Sequence, residues 1–460
     1  MKKSDRSFYR NLLSIALGSI GGQIMFVFMT NYASIFFTDF LGLSSGIVGT
    51  ILLLSRIWDG INDPMCGILM ERSNPRHGKI QTWMLCGGVV AAIGLVMIFT
   101  VPNLGNAGRA AWAAIAYNIM GMGFTAVVTA TMLQIPRGAA HPNEQVPLST
   151  AYSIAASVAG IVAGSIIVKL MAAFGTEDPA HGYWMSGMVF AVFGLLFLTG
   201  SVVTFRDLST AKVSGSAEAK PKVGEMLRAI VKVPSFFIIT VAVLFGNIGF
   251  GFCSADMMYY LTYVLERPAM MAIMLPAMYV GLLGGSTVAG ILAGKLGRKA
   301  TMIIGFLLYV AGPALRMVLG DSTIAFSIGI GLICFGSGLI TTLLMPCLAD
   351  CADYAEHLTG VRCQALTMTG FTMVSKWTTG VAAVVVGFAL ERSGYITSTA
   401  GGAMQPQSAL DVIYSLQFWP TIIMAVIGIV ILLFYKLDDA TMAKIRAAKS
   451  ERAQDEDSMT

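Results

Sequence analysis

The chain has 460 residues, of which 56% are hydrophobic and only 12% are charged, and its mean hydropathy is +0.73. A soluble domain carries about 25% charged residues, so this composition excludes an ordinary soluble protein and indicates a polytopic membrane protein. Fifty glycines and 29 methionines fit closely packed membrane helices. The net charge of +5 does not predict a nucleic-acid partner, because the basic residues lie in the loops of one side.

The cysteines and histidines give no sign of a metal centre. No CxxC or Cys/His ligand spacing occurs, so we expect free thiols at all seven cysteines, which are Cys66, Cys86, Cys253, Cys334, Cys347, Cys351 and Cys363. The four histidines (His77, His141, His181 and His357) stand far apart, which argues against a histidine-ligated membrane enzyme. We therefore expect neither a cofactor nor an enzymatic activity.

Hydropathy predicts twelve membrane spans of about 20 residues each. The first apolar segment follows a basic start but is too long for the core of a signal peptide, so it counts as the first span. The predicted spans are 11–38, 46–70, 81–101, 109–133, 149–173, 183–204, 234–264, 270–294, 299–319, 322–345, 364–390 and 410–435.

The polar stretches divide these spans into two sets of six. Residues 206–233 are rich in Ser, Gly, Pro and charge, which is typical of a flexible linker. This predicts an all-α membrane protein with twelve transmembrane helices in two six-helix halves, 1–205 and 234–436, followed by a tail at 437–460. Lys and Arg concentrate at the termini and in the even-numbered loops, so we expect both termini and the linker to be cytoplasmic.

Span 2 contains charged residues where a membrane helix is normally apolar. Arg56, Asp59 and Asp63 follow i, i+3, i+7 spacing, which places them on one face together with Asn62. Each charge at the bilayer centre costs at least about 2.5–3.5 kcal/mol unless it pairs, faces water or holds an ion. One arginine can neutralise only one carboxylate, and the surplus carboxylate favours a site for a small cation. The alternative is a structural Arg–Asp clamp.

The loops after spans 2 and 8 are similar to each other. Residues 67–72 (GILMER) lead to Gly78-Lys79, and residues 290–299 (GILAGKLGRK) occupy the equivalent place in the second half. The second loop resembles the signature loop of the major facilitator superfamily, with Gly294 where an Asp is usual. A glycine-rich turn would explain either loop alone, but their matching positions favour a repeat of two halves.

Nearly the whole chain resembles the glycoside–pentoside–hexuronide:cation symporters, the family that contains the melibiose carrier. Phe36-Phe37-Thr38-Asp39 is similar to the end of that family's span 1, and residues 56–64 (RIWDGINDP) match its span 2 motif closely. Residues 349–362 (ADCADYAEHLTGVR) match its loop between spans 10 and 11, and Lys376 follows in span 11. Several motifs in the family's order make a chance match implausible.

The resemblance implies a symporter that uses a sodium or proton gradient to import a small solute by alternating access. It implies that Asp59 and Asp63 bind the coupling cation, that Asn62 and Thr125 contribute to ion selection, and that Lys376 lies close to both cation and solute. Asn62 and Thr125 are neutral oxygen donors, which favours sodium over a lone protonation site. The residues by themselves agree that the ammonium of Lys376 needs an anionic partner.

The residues around the solute depart from the family pattern. Melibiose-type carriers place two carboxylates, a Trp and an Arg around the sugar, and the positions here are Gln23, Val128, Met132 and Tyr152 or Ser153. Carboxylates bind sugar hydroxyls by charge-assisted hydrogen bonds, so their loss argues against a galactoside and favours a uronide or another anionic solute. The Gln23 side chain can bind a hydroxyl or a carboxylate, or its amide can form a hydrogen bond to another helix.

Charged residues in the middle of span 2 and near the predicted inner side could bias the two states of a transporter by exchanging ion pairs. These residues are Arg56, Glu71, Arg137, Asp350, Asp353, Glu356 and Arg362. In span 7, Asp256 accompanies Tyr259, Tyr260 and Tyr263, and an aromatic belt at the membrane interface explains these tyrosines better than solute stacking does.

These features together favour a sodium- or proton-coupled symporter of a sugar, glycoside or uronide, working as a monomer in a lipid bilayer. Its location in a bacterial inner membrane is inferred from the family. An uncoupled facilitator or exchanger of a small organic anion on the same fold is the main alternative, in which the acids are structural. A membrane enzyme, a receptor or a lipid flippase has no supporting motif.

Overall fold

The structure, a computed structural model, describes residues 3–73, 78–139, 141, 144–208, 228–320, 322–359, 364–397 and 404–435. Within them the chain forms twelve long helices, which are α1 (Lys3–Asp39), α2 (Ser45–Arg72), α3 (Lys79–Ile98), α4 (Asn106–Gly138), α5 (Gln145–Phe174), α6 (Pro179–Thr204), α7 (Pro234–Tyr259), α8 (Met271–Leu296), α9 (Arg298–Leu319), α10 (Thr323–Thr359), α11 (Gln364–Arg392) and α12 (Gln407–Leu433). The predicted all-helical architecture is confirmed.

Among the residues described, eleven candidate spans are long and apolar enough to cross a membrane by length and composition. The other long helix in this part of the chain is α2, whose 28 residues include the charges of the predicted cation stripe. A π-helical turn at Tyr260–Val264 extends α7, and a short 3-10 turn at Pro268–Met270 leads into α8.

The largest difference from the predicted spans lies in α10. The sequence predicts a span over 322–345 and a loop after it, whereas α10 continues as helix to Thr359 despite Pro346. Asp350, Asp353 and Glu356 therefore lie on a helix and not in a loop. Most of the predicted linker (209–227) and the predicted tail (437–460) lie outside the described residues, and the division into two halves stays a prediction.

The chain forms two compact units. The first comprises Met1–Ser214, Gly251–Tyr279 and Thr379–Gln417. In this unit α3 packs against α4, and α1 packs against α5 and α6. Glycines permit the close approach of α3 to α4: a Cβ on Gly94 would lie 2.4 Å from the Met120 nitrogen, and one on Gly123 would lie 2.3 Å from the Ala91 nitrogen.

The second unit comprises Gly215–Phe250, Val280–Thr378 and Phe418–Thr460. Here α9 packs against α10 through facing glycines, because a Cβ on Gly312 would lie 2.4 Å from the Gly329 oxygen. The guanidinium of Arg316 is buried in this unit, 3.7 Å from the ring centre of Phe326 and 4.5 Å from that of Phe418. Such cation–π contacts are favourable where the cation is shielded from water.

The two loops that resemble each other in sequence share a local geometry. Gly78 precedes α3 with a φ of 92°, and Gly297 precedes α9 with a φ of 85°. Residues with a Cβ rarely adopt these angles, so both positions favour glycine. The repeat inferred from the sequence thus has a structural counterpart at equivalent helix starts.

Candidate functional site

The predicted cation stripe lies on the inward face of α2. Asp59 is 9% exposed and Asn62 is 3% exposed, whereas Leu54, Trp58 and Ile61 on the opposite face are all exposed. The helix therefore separates its polar from its apolar side chains, as the sequence spacing predicts. The polar face contacts α4.

Asp59 is paired with the arginine of the stripe. The Arg56 Nη1 group donates to Asp59 Oδ2 at 3.4 Å, one turn along the same helix. The Arg56 Nη2 group donates to the hydroxyl of Tyr117 on α4, also at 3.4 Å. The guanidinium thus joins the carboxylate of α2 to the neighbouring helix.

Asp63 has a different partner. The hydroxyl of Thr125 on α4 donates to Asp63 Oδ1 at 3.0 Å. The structure therefore brings together Asp63 and Thr125, which the family resemblance assigns to the same site. Because a threonine hydroxyl can turn and present a lone pair instead, this pair can offer two oxygens to a cation.

Space and unused polar groups surround these carboxylates. A Cβ on Gly121 of α4 would lie only 3.1 Å from Asp59 Oδ1, so the absent side chain leaves room beside the carboxylate. Within the described ranges, the buried Nδ2 group of Asn62 has no hydrogen-bond partner. On α4, one turn before Gly121, the Asn118 Nδ2 group donates to Ser55 Oγ of α2 at 3.0 Å.

The donor set suits a monovalent cation better than a transition metal. Over the residues that the structure covers, no group of three or more His, Cys, Asp or Glu is placed to hold a metal ion. Two carboxylates accompanied by hydroxyl and amide oxygens are hard ligands, which favour cations that prefer oxygen. The binding of a small cation at these oxygens stays a prediction.

The predicted solute residues lie on α1, α4, α5 and α11. The Gln23 Nε2 group donates to the hydroxyl of Tyr279 on α8 at 3.0 Å. The Tyr279 ring lies against Gly160 of α5, where a Cβ would come within 2.4 Å of it. The Gln23 amide therefore makes an interhelical hydrogen bond, which is one of its two predicted roles. This hydrogen bond joins α1 to α8.

The remaining solute residues have less distinctive surroundings. The Tyr152 carbonyl accepts a hydrogen bond from Ser19 Oγ at 2.9 Å, and Val128 is half-buried. Met132 is 42% exposed. Lys376 is half-buried on the part of α11 that belongs to the second compact unit. The predicted proximity of Lys376 to the cation site stays a prediction.

Besides Arg56, the charge-network residues Arg137 and Asp350 each form an ion pair. Arg137 pairs with Asp207 at 3.6 Å, and both side chains are about 40% exposed. The buried Asp350 pairs with Arg298 at the start of α9, a partner that the sequence did not single out. Asp353 and Glu356 lie further along α10. The side chain of Glu71 and the whole of Arg362 lie outside the described residues.

We expect Asp350→Asn to lower the free energy of unfolding by about 1.5–3 kcal/mol, because it weakens a charge-assisted hydrogen bond at a buried acceptor. Asp207→Asn is the matched control, since an exposed pair is worth only about 0–1 kcal/mol. Thermal unfolding of the two purified variants measures the difference. Equal melting temperatures would show that burial of the Asp350 pair does not matter.

A second polar cluster lies at the end of α1 and was not predicted from the sequence. The carboxyl group of Asp39 accepts hydrogen bonds from Tyr263 and from Tyr395, the latter at 2.7 Å. The prediction of an aromatic belt for the span 7 tyrosines is therefore wrong: Tyr259 and Tyr260 are buried, and Tyr263 contacts a carboxyl group. No local pattern indicates these contacts, because the partners are more than 200 residues apart.

A comparison with protein-family models identifies the chain. The model described as "MFS/sugar transport protein" matches residues 14–439, which is nearly the whole sequence. The chain belongs to this family. The MFS assignment confirms the predicted fold class and the resemblance to the glycoside–pentoside–hexuronide symporters, and it makes the protein a multi-pass membrane transporter and not an enzyme.

Relatives within the MFS/sugar transport family share about a quarter of their residues with the chain. It is 26% identical to the isoprimeverose transporter of Lactiplantibacillus pentosus, covering 96% of this chain and 91% of the relative. It is 26% identical to the inner membrane symporter YicJ of Escherichia coli (strain K12), covering 85% of each. The structure of a bacterial homolog of the human lysosomal transporter Spinster matches with a TM-score of 0.68 at 15% identity, covering 97% and 99%. That match supports the fold alone.

Proposed function

We propose that this protein is a cation-coupled secondary symporter, with sodium as the favoured coupling ion, that imports a sugar, glycoside or uronide. The observation that carries the proposal is the presence of two carboxylates on one face of α2, next to hydroxyl groups of α4. Asp59 accepts a hydrogen bond from Arg56, and Asp63 accepts one from the Thr125 hydroxyl. Two carboxylates this close together on a membrane helix favour the binding of a cation.

The family supports the class of solute. The MFS/sugar transport assignment and the similarity to an isoprimeverose transporter favour a sugar or a glycoside. Because Gln23 stands where melibiose-type carriers have a carboxylate, an anionic sugar such as a uronide would meet less repulsion here. The similarity to a symporter supports coupled transport of two solutes in the same direction.

The geometry supports a simple coupling mechanism. A cation between Asp63, Thr125 and Asn62 would be attracted by the Asp63 carboxylate and would draw α2 towards α4. Tyr117 and Arg56 would then fix the position of Asp59 beside it. If this arrangement improves solute binding, the solute must improve cation binding by the same factor. Alternating access would carry both to the cytoplasmic side, on which we place the two termini.

Uptake by the purified protein in liposomes tests this proposal. An imposed inward sodium gradient should drive accumulation of the solute above its external concentration, and a proton gradient should drive less. Solutes are first found by a thermal-shift screen of sugars, glycosides and uronides with and without sodium. Uptake that only equilibrates the solute across the membrane whichever gradient is imposed, together with rapid exchange, would establish the uncoupled facilitator instead.

We expect Tyr279→Phe to raise the KM for the solute about tenfold, because it removes the partner that orients the Gln23 amide. The maximal rate should change little, since the ring remains against Gly160. Gln23→Leu should have the larger effect, and Tyr9→Phe is the control, because its side chain is exposed near the start of α1 and is not part of the predicted solute site. An unchanged KM in both Gln23→Leu and Tyr279→Phe would remove this pair from the solute site.

A further inference from the structure

The carboxyl group of Asp39 lies buried at the far end of α1 from the N-terminus, and it is 3% exposed. Its Oδ1 atom accepts from Thr38 Oγ1 and from the Tyr395 hydroxyl, each at 2.7 Å, and its Oδ2 atom accepts from the Tyr263 hydroxyl. Three donors on two oxygens are the pattern of an ionised carboxylate, which can only accept. No ion pair to Asp39 occurs in the parts of the chain that the structure describes.

The donors join helices that are distant in sequence. Tyr263 lies in the π-helical turn after α7, and Tyr395 follows the end of α11. Both belong to the same compact unit as Asp39. The Tyr259 hydroxyl adds contacts to Ser34 Oγ at 3.0 Å and to Thr38 Oγ1 at 3.3 Å. The carboxyl group thus holds the ends of α1, α7 and α11 together.

The backbone next to both tyrosines departs from regular helix. Tyr263 lies within a π-helical turn, an irregularity that is frequent at functional sites. Gly394, directly before Tyr395, has a φ of 82°, which favours glycine. These two irregular segments place the hydroxyl groups of Tyr263 and Tyr395 against the carboxyl group of Asp39. Burial raises the pKa of Tyr395, and the nearby Asp39 charge raises it further, so this phenol keeps its proton and remains a donor.

A purely structural contact would not need this chemistry. Apolar side chains of similar volume would hold the same helix ends without the cost of burying a carboxylate. Neutral hydroxyl donors have a different advantage, because water can replace them when the cluster opens. A carboxylate that accepts only from hydroxyl groups therefore forms a contact that is stable while water is excluded. The contact opens when water enters the cluster and replaces the hydroxyl donors.

We propose that Asp39, Tyr263 and Tyr395 form a latch that closes the outer end of the transporter and opens in each transport cycle. The latch rests on the proposed function for its orientation, because Asp39 is at the outer face only if the N-terminus is cytoplasmic. Loss of the carboxylate, or of both phenol hydroxyls, shifts the protein towards the state that is open to the outside. Asp39 is a positioning residue in this scheme and contacts neither cation nor solute.

Labelling of a buried reporter tests the latch in the full-length protein. Ser45 begins α2 at the same end of the unit as Asp39 and is 2% exposed. Ser45→Cys is introduced after the seven native cysteines have been replaced by serine or alanine. Right-side-out vesicles are then treated with a membrane-impermeant maleimide, and the labelling rate measures how often the outer end opens.

We expect Asp39→Ala and the double variant Tyr263→Phe/Tyr395→Phe to raise the labelling rate about tenfold or more, since each loses hydrogen bonds to a charged group. Tyr32→Phe is the matched control: its phenol is buried in the same unit, and within the described residues its hydroxyl has no hydrogen-bond partner. The control should label at the parent rate. If Asp39→Ala does not fold, the double phenylalanine variant decides.

Parent-like labelling of a folded double variant would overturn the latch, and so would labelling of the reporter from the opposite side in inside-out vesicles. The measurement needs neither cation nor solute, so it is independent of the gradient experiment. Faster labelling in a protein whose uptake ignores sodium would uphold the latch and reject sodium symport. Unchanged labelling in a protein whose uptake is driven by sodium would reject the latch and uphold sodium symport.

Discussion

Asp63→Asn should abolish sodium-driven accumulation of the solute while leaving exchange across the membrane measurable. Two unit charges 4 Å apart attract each other by about 4 kcal/mol near a protein surface, which is roughly a thousandfold in affinity. The amide cannot supply that attraction, although it keeps the shape of the side chain and an oxygen for Thr125. Sodium dependence of uptake in liposomes and sodium binding by calorimetry measure the loss.

Asp59→Asn should have a similar effect on accumulation, because it also removes a negative charge and leaves the Arg56 guanidinium without its carboxylate partner. Thr125→Ala should weaken sodium binding less, by about tenfold, since it removes one neutral oxygen. Asp411→Asn on the exposed face of α12 is the matched control and should behave as the parent does. Normal sodium-driven accumulation in both Asp59→Asn and Asp63→Asn would assign these acids to a structural clamp.

The second large effect concerns folding. Gly123→Val should lower the free energy of unfolding by more than about 3 kcal/mol, because even its Cβ would lie 2.3 Å from the backbone of α3. A backbone cannot yield as a flexible side chain can, so α3 and α4 would have to separate. Gly94→Val should act in the same way from the opposite helix.

Gly290→Val on α8 is the matched control, because a Cβ there would meet nothing within 4 Å. Size-exclusion profiles in detergent and thermal unfolding compare the three variants. We expect a folded peak for the control and little or none for the other two. A parent-like profile for Gly123→Val would show that the close approach of α3 and α4 is not required.

The sequence predicted the elements and the polar face of α2 well. The span predicted at 46–70 is observed as Ser45–Arg72, and spacing alone placed Arg56 beside Asp59. Both results depend on the spacing of residues along one helix, and this spacing can be read directly from the sequence. The contact between Asp63 and Thr125 connects different helices, and it was predicted only from the family resemblance.

The contacts that the sequence could not provide are long-range. Asp39 lies in a motif that resembles the family, but no local pattern indicates its role, because its donors lie 224 and 356 residues away. Nothing near Gln23 indicates that Tyr279 is its partner. The π-helical turn that places Tyr263 also has no sequence signature, since it depends on packing rather than on local preference.

One consequence concerns which helix can respond to an ion. The backbone of α4 is pressed against α3 through Gly94 and Gly123, and its other side faces the carboxylates of α2. Because α4 is packed against α3 in this way, it cannot move away if a cation binds to these carboxylates. The adjustment therefore falls to α2, which would turn or slide over a stationary surface and carry Trp58 with it through the surrounding lipid.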